Sequence, residues 1–144
     1  MARSLRYPAT RHRLDAPPDL SSRAERERLS APALKAFFNV MARWNVRDED
    51  ARALLGGVTN GPYYEMKRNP DRLLESDRLT RVSYLIGMFK SLRILHSEAL
   101  ADEWVHLPND NPLFGGQTPL AYMMRGGLPA MQQVRRLLDA RRAG

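Results

Sequence analysis

Three groups of residues have types that could do chemistry. Asp48, Glu49 and Asp50 are consecutive carboxylates, and paired carboxylates can share general acid and base work. His12, His96 and His106 could transfer protons or hold a metal ion. Thr59, Asn60, Tyr63, Tyr64, Lys67 and Arg68 place hydroxyl, amide and cationic groups close together, the mixture that reads base edges and neutralises phosphates. Adjacent helical positions point in different directions, so the three carboxylates read better as solvated acids in a helix's first turn, where the macrodipole favours anions. The histidines are isolated, and His96 and His106 fall near expected helix ends, so no metal site is expected. A Gly-rich phosphate loop, G-x-G-x-x-G, a nucleophile elbow and H-E-x-x-H are all absent. Neither an enzyme nor a cofactor is expected.

Composition narrows the class further. With no cysteine there is no disulfide, thiolate metal site or Cys nucleophile. A chain of 144 residues with 43% hydrophobic residues can build a real core, either as one domain or as two small helical subdomains sharing it. No run approaches the roughly 18 uncharged apolar residues of a membrane span, and no apolar signal-peptide stretch opens the chain. A cytoplasmic protein with no membrane contact is expected. The net charge of +7 is uneven: residues 1–29 carry +3, 30–69 carry +2, 70–107 carry −1 and 108–144 carry +3. Basic segments suit a polyanion through counterion release; the alternative is that 20 Arg against 3 Lys simply raise the pI.

The elements that would position these residues are helical. Residues 1–29, with seven arginines and Pro17-Pro18, read as a basic, flexible arm with room for a helical turn at Ser22 to Leu29. Order is expected from Ser30 as N-cap, with Pro32 in the first turn and Leu34, Phe37, Phe38, Met41 and Trp44 as the core stripe. A second helix is expected over Arg47 to Leu55, closed by Gly56-Gly57, and a third over Gly61 to Arg68, capped by Thr59 and ended before Asn69-Pro70. That pair has the form of a helix-turn-helix, although Tyr63 and Met66 could equally anchor the third helix in the core. The longest helix, from Ser76 or Asp77 to about His96, is apolar on two sides and reads as the central spine. Shorter helices follow over Ser97 to His106, from Thr118-Pro119 to Gly126-Gly127, and from Pro129 to Arg141. The expected fold is all-α: a helix-turn-helix bundle over 30–96, with the long helix leading into a small, loop-rich helical domain over 97–144.

The last forty residues set Gly and Pro among large apolar groups, which shapes a surface and supplies no reactive group. Pro108, Pro112, Pro119 and Pro129 reduce the entropy lost when such a surface docks, and Gly115, Gly116, Gly126 and Gly127 permit close backbone approach. Phe114, Leu120, Met123 and Met124 are candidate apolar anchors, with ordinary core packing as the alternative for each. Arg135, Arg136, Arg141 and Arg142 could meet acidic groups or merely suit a helix C-terminus.

Trp44 to Arg68, with Ala51-Arg-Ala-Leu-Leu-Gly56, followed by Arg78 to Leu92, resembles the helix-turn-helix half of the Xre/MbcA/ParS antitoxins. Trp104, Pro108-Asn109, Leu113-Phe-Gly-Gly116, Thr118-Pro-Leu120, Met123, Gly126-Gly127 and Val134 to Asp139 resemble that family's toxin-binding domain. The resemblance spans roughly residues 30–144 and departs at Met66, where close relatives carry tryptophan; Met can fill that volume. It implies an antitoxin whose partner is a RES-domain toxin that degrades NAD or transfers its ADP-ribose. It also implies a C-terminal domain lying over the toxin's active site, through Trp104, Pro108, Asn109, Phe114, Gly115, Gly116, Pro119, Leu120, Met123, Met124, Gly126, Gly127, Arg135 and Arg136. The other half would bind promoter DNA of its own operon through Thr59, Asn60, Tyr63, Tyr64, Lys67 and Arg68, as a homodimer within a hetero-oligomeric complex. The alternative is a stand-alone helix-turn-helix regulator whose C-terminal domain dimerises.

Overall fold

A computed structural model describes residues 18–144, and every regular element among them is helical. The first helix, α1 (Arg23–Arg43), begins seven residues before the expected Ser30. Ser22 is its N-cap, accepting from the Glu25 amide at 3.3 Å. Ser30 is buried inside the helix, where its hydroxyl donates to the Arg26 carbonyl and accepts the Leu74 amide at 2.9 Å. It therefore ties α1 to the segment before the fourth helix. Pro32 sits mid-helix rather than in the first turn, so the Arg28 carbonyl loses its usual donor; Pro32 is exposed, which leaves that carbonyl to water. The arm expected over 1–29 is thus helical from Arg23, and its part before Pro18 lies outside the described residues.

The helix ends follow from local chemistry. Asn45, with φ 54°, takes the left-handed position after α1, while Asn45 and Val46 amides bond back to Ala42 and Met41 carbonyls at 3.1 and 2.9 Å. That is a Schellman stop with Asn in place of Gly. Helix α2 (Asp48–Leu54) stops the same way, with Gly56 at φ 100° and the Gly56 and Gly57 amides on Ala53 and Arg52. Guanidinium groups fix this turn from two sides: Arg52 Nε donates to the Val58 carbonyl at 2.9 Å, and Arg78 Nε to the Leu55 carbonyl at 3.0 Å. Thr59 precedes α3 (Asn60–Arg68), as expected, but its side chain makes no capping bond.

Helix α4 (Ser76–Leu95) is the spine, packed against α1, α5 (Glu98–Glu103) and α6 (Pro119–Ala143). Leu79, Val82, Leu85, Met88 and Leu92 are its buried stripe. Two 3-10 turns, Trp104–His106 and Pro112–Phe114, lie between α5 and α6. Thr118 caps α6 by accepting the Ala121 amide at 3.1 Å, with Pro119 at the first position. The expected break in α6 falls at Gly127, whose φ 65° and ψ −146° are non-helical. One apolar core runs from Leu34 and Phe37 through Leu85 and Met88 to Phe114, Met123, Val134 and Leu138. Both halves of the chain therefore contribute to a single core, with no break at residue 96.

Candidate functional site

The side chains of α3 divide between core and surface. Tyr63 and Met66 face inward, with Tyr63 only 1% exposed, so these two anchor the helix. The Tyr63 hydroxyl donates to Asp48 Oδ1 at 2.6 Å, Lys67 Nζ to the same oxygen at 2.8 Å, and the Tyr64 hydroxyl to Oδ2 at 3.2 Å. Asp48 is thus a clamp between α2 and α3 rather than a merely solvated acid. The Lys67 ammonium first, then the Tyr63 hydroxyl, holds its carboxyl below the usual aspartate range. Burial, then the neighbouring Asp48, pushes the Tyr63 phenol well above its ordinary value. Asp50 pairs with Arg47 at 3.2 Å, and Glu49 stays at the surface. Arg68 pairs with Glu65. Of the residues expected to meet DNA, Thr59 and Asn60 are exposed at the start of α3, Tyr64, Lys67 and Arg68 are exposed with acidic partners, and Tyr63 is internal.

The C-terminal segment is a surface loop on an aromatic base of buried Trp104 and Phe114 with half-buried Tyr122. Trp104 packs edge-on to Phe114 with centroids 6.0 Å apart, and Phe114 edge-on to Tyr122 at 5.3 Å. Above them the backbone folds on its own asparagines: Asn109 Oδ1 accepts the Asn111 amide, and Asn111 Oδ1 the Leu113 amide, each at 2.9 Å. These Asx turns are what such spacing favours. Gly115 and Gly116 then take φ 56° and 86° on the exposed face, where conformation and not crowding calls for glycine.

The expected toxin-facing set separates accordingly. Trp104, Phe114, Pro119, Leu120 and Met123 are buried, so their side chains hold the loop in place instead of facing outward. Pro108, Gly115, Gly116, Gly126 and Arg136 are exposed, while Asn109, Met124, Gly127 and Arg135 are partly so. Arg135 is committed within the fold: Nε bonds Asp139 Oδ2 at 3.2 Å, Nη1 reaches the Ser83 carbonyl at 3.5 Å, and the guanidinium lies over Gly87, where a Cβ would collide with it. Gly87 was not singled out by its sequence context, because only the α4–α6 crossing gives it meaning. The same holds for Arg93, which grips Asp102 through Nε at 3.2 Å and Nη2 at 2.8 Å and joins α4 to α5.

His106 Nε2 donates to the Trp44 carbonyl at 2.6 Å, closing the end of α1. His96 terminates α4, and His12 lies outside the described residues. Among the described residues no three His, Asp or Glu side chains converge as a metal site, and no helix is long and apolar enough to cross a membrane.

Residues 91–144 match the family described as the antitoxin Xre/MbcA/ParS C-terminal toxin-binding domain, a family of antitoxins and not of enzymes. The match opens inside the last turns of α4, six residues before the boundary expected at 97. The chain is also 35% identical over 112 residues to uncharacterized protein y4oB of Sinorhizobium fredii, covering 77% of this chain and 84% of that protein. No solved structure matches the chain.

Proposed function

We propose that this chain, whose residues 91–144 match the antitoxin Xre/MbcA/ParS C-terminal toxin-binding domain, neutralises a RES-domain toxin by lying over the toxin's NAD-consuming active site. The family match over 91–144 carries this reading. Its physical support is the loop from Pro108 to Gln117, whose exposed prolines and glycines stand on the fixed Trp104, Phe114 and Tyr122 base. A surface already ordered before binding loses little entropy on docking. Pro108, Asn109, Gly115, Gly116, Met124, Gly126, Gly127 and Arg136 are the parts of this region that reach the surface. Whether the toxin degrades NAD or transfers ADP-ribose is a property of the toxin's own chemistry.

The same reading extends to autoregulation: α2 and α3 form a helix-turn-helix that binds the operon's promoter, with the chain a homodimer in the toxin complex. The tight Gly56-Gly57 turn and the exposed Thr59, Asn60, Lys67 and Arg68 support it. Coexpression tests the first part: the product of the adjacent reading frame should arrest growth alone and be harmless with this chain. Continued arrest, or no arrest by the partner alone, sinks the antitoxin reading. For the second part, Lys67→Ala with Arg68→Ala should flatten the salt dependence of promoter binding by about one slope unit per lost phosphate contact. An unchanged slope removes α3 from the DNA interface.

A further inference from the structure

We propose that Arg81 is a positioning residue for toxin binding: its guanidinium seats the α6 break at Gly127 against the Gly56 turn, so residues that precede the matched segment help set how tightly the toxin is held. The inference rests on the antitoxin reading above, in which Gly126 and Gly127 belong to the toxin-facing surface. Three elements meet on this one side chain, which rises from α4. An ideal Cβ on Gly56 would lie 3.3 Å from Arg81 Nε and 3.4 Å from Cζ, and one on Gly127 would lie 3.9 Å from Nη2. The guanidinium is therefore within van der Waals range of both glycines, whose φ values are 100° and 65°. Helices α2 and α6 also touch each other directly. Neither Arg81 nor Gly56 lies within residues 91–144.

The side chain is held for this task. Its Nε donates to Asp77 Oδ2 at 3.0 Å, one turn back on α4, and it is only 16% exposed although Asp77 is 61% exposed. A planar guanidinium fixed at Nε and covered on its flanks presents its tip in one direction. Its charge also suits the carbonyl end of α2, beside which Arg78 bonds the Leu55 carbonyl. Gly127, by contrast, has no side chain with which to anchor itself, so its orientation depends on what packs against it. The stretch of α6 after the break is tied to α4 separately, by Arg135 at the Ser83 carbonyl and over Gly87. Arg81 reaches the break itself. A docking surface kept in one geometry loses less entropy on binding, and a loosened break gives that advantage up.

The test uses the full chain and the purified product of the adjacent reading frame. Arg81→Ala should raise the Kd for that protein about tenfold. Should that variant melt early, Arg81→Lys decides: it keeps the stem over Gly56 and a cation beside Asp77 but ends short of Gly127. It should melt like wild type, raise the Kd about threefold and quicken amide exchange at Gly127. Gly56→Ala, whose Cβ pushes on the guanidinium, should weaken binding about threefold as well. Gly57→Ala is its control, because at a similar φ of 88° its Cβ meets nothing within 4 Å; it should strain the turn and leave the Kd unchanged. Full affinity in both Arg81 variants, beside a wild-type chain that binds, overturns the inference and leaves the antitoxin reading standing. Equal losses in the two glycine variants also overturn it, since strain in the turn would then be the cause. No binding by the wild-type chain overturns both readings.

Discussion

Asp48 shows how far one side chain's role can lie from its neighbours in sequence. Its place in the first turn of α2 is legible from the acidic run, since the macrodipole favours anions there. Its partners Tyr63, Tyr64 and Lys67 lie 15 to 19 residues on and meet it only because the chain turns at Gly56-Gly57 between α2 and α3. Asp48→Asn keeps the side chain's size but removes the charge that holds Lys67. It should cost about 1 kcal/mol at pH 7, discounted for partial exposure, as read by chemical denaturation. The folded-state pKa of Asp48 is depressed, so its contribution is present above the ordinary aspartate value and fades as pH falls through the lower folded value. The wild-type advantage over the variant should therefore be full at pH 7 and largely gone well below the 3.8 of an ordinary aspartate. If α3 meets DNA, the same substitution should tighten promoter binding about threefold, because it removes a competing anion beside Lys67. Weaker promoter binding by a folded Asp48→Asn protein would contradict the placement of Lys67 at a phosphate.

At the level of elements, caps and breakers were the most readable features, because each acts within a few residues. Gly56, Gly127, Pro119 and Thr118 all do what their positions imply. The start of α1 also had a local signature, Ser22-Arg-Ala-Glu25, of the S-x-x-E form that opens helices; the arginine-rich surroundings obscured it. The loop between α5 and α6 was harder, since it has no periodicity to separate inward from outward side chains. Trp104 and Phe114 could have faced either way by spacing alone, and only their edge-on packing with Tyr122 settles the direction. Gly127 is the sharpest test at this scale. Its φ and ψ fall where side-chain-bearing residues are strained, so Gly127→Ala should cost about 1–3 kcal/mol. A melting temperature equal to wild type would show that the break in α6 is not fixed by this residue. By contrast, Gly57→Ala meets no neighbour within 4 Å, and its cost should come from its φ of 88° alone.

For the whole molecule, the shared core changes what a deletion can reveal. Two halves were expected from sequence, but α4 packs on α1 and α6 at once, so the matched toxin-binding segment is not a detachable tail. Removing residues 108–144 would strip Phe114, Leu120, Met123, Met131, Val134 and Leu138 from the core, and each such loss costs several kcal/mol. The truncated chain should therefore lose cooperative thermal unfolding altogether; a sharp melting transition in it would show that the chain up to Leu107 folds without the rest. Surface substitutions are the sound probes of partner binding for this reason. The central claim, that this chain silences an NAD-consuming toxin, is tested most directly by cellular NAD after induction of the adjacent reading frame with and without this chain. NAD should collapse when the partner is expressed alone and hold near its starting level when this chain is present. An NAD level that never falls, or that falls equally in both, would contradict the account.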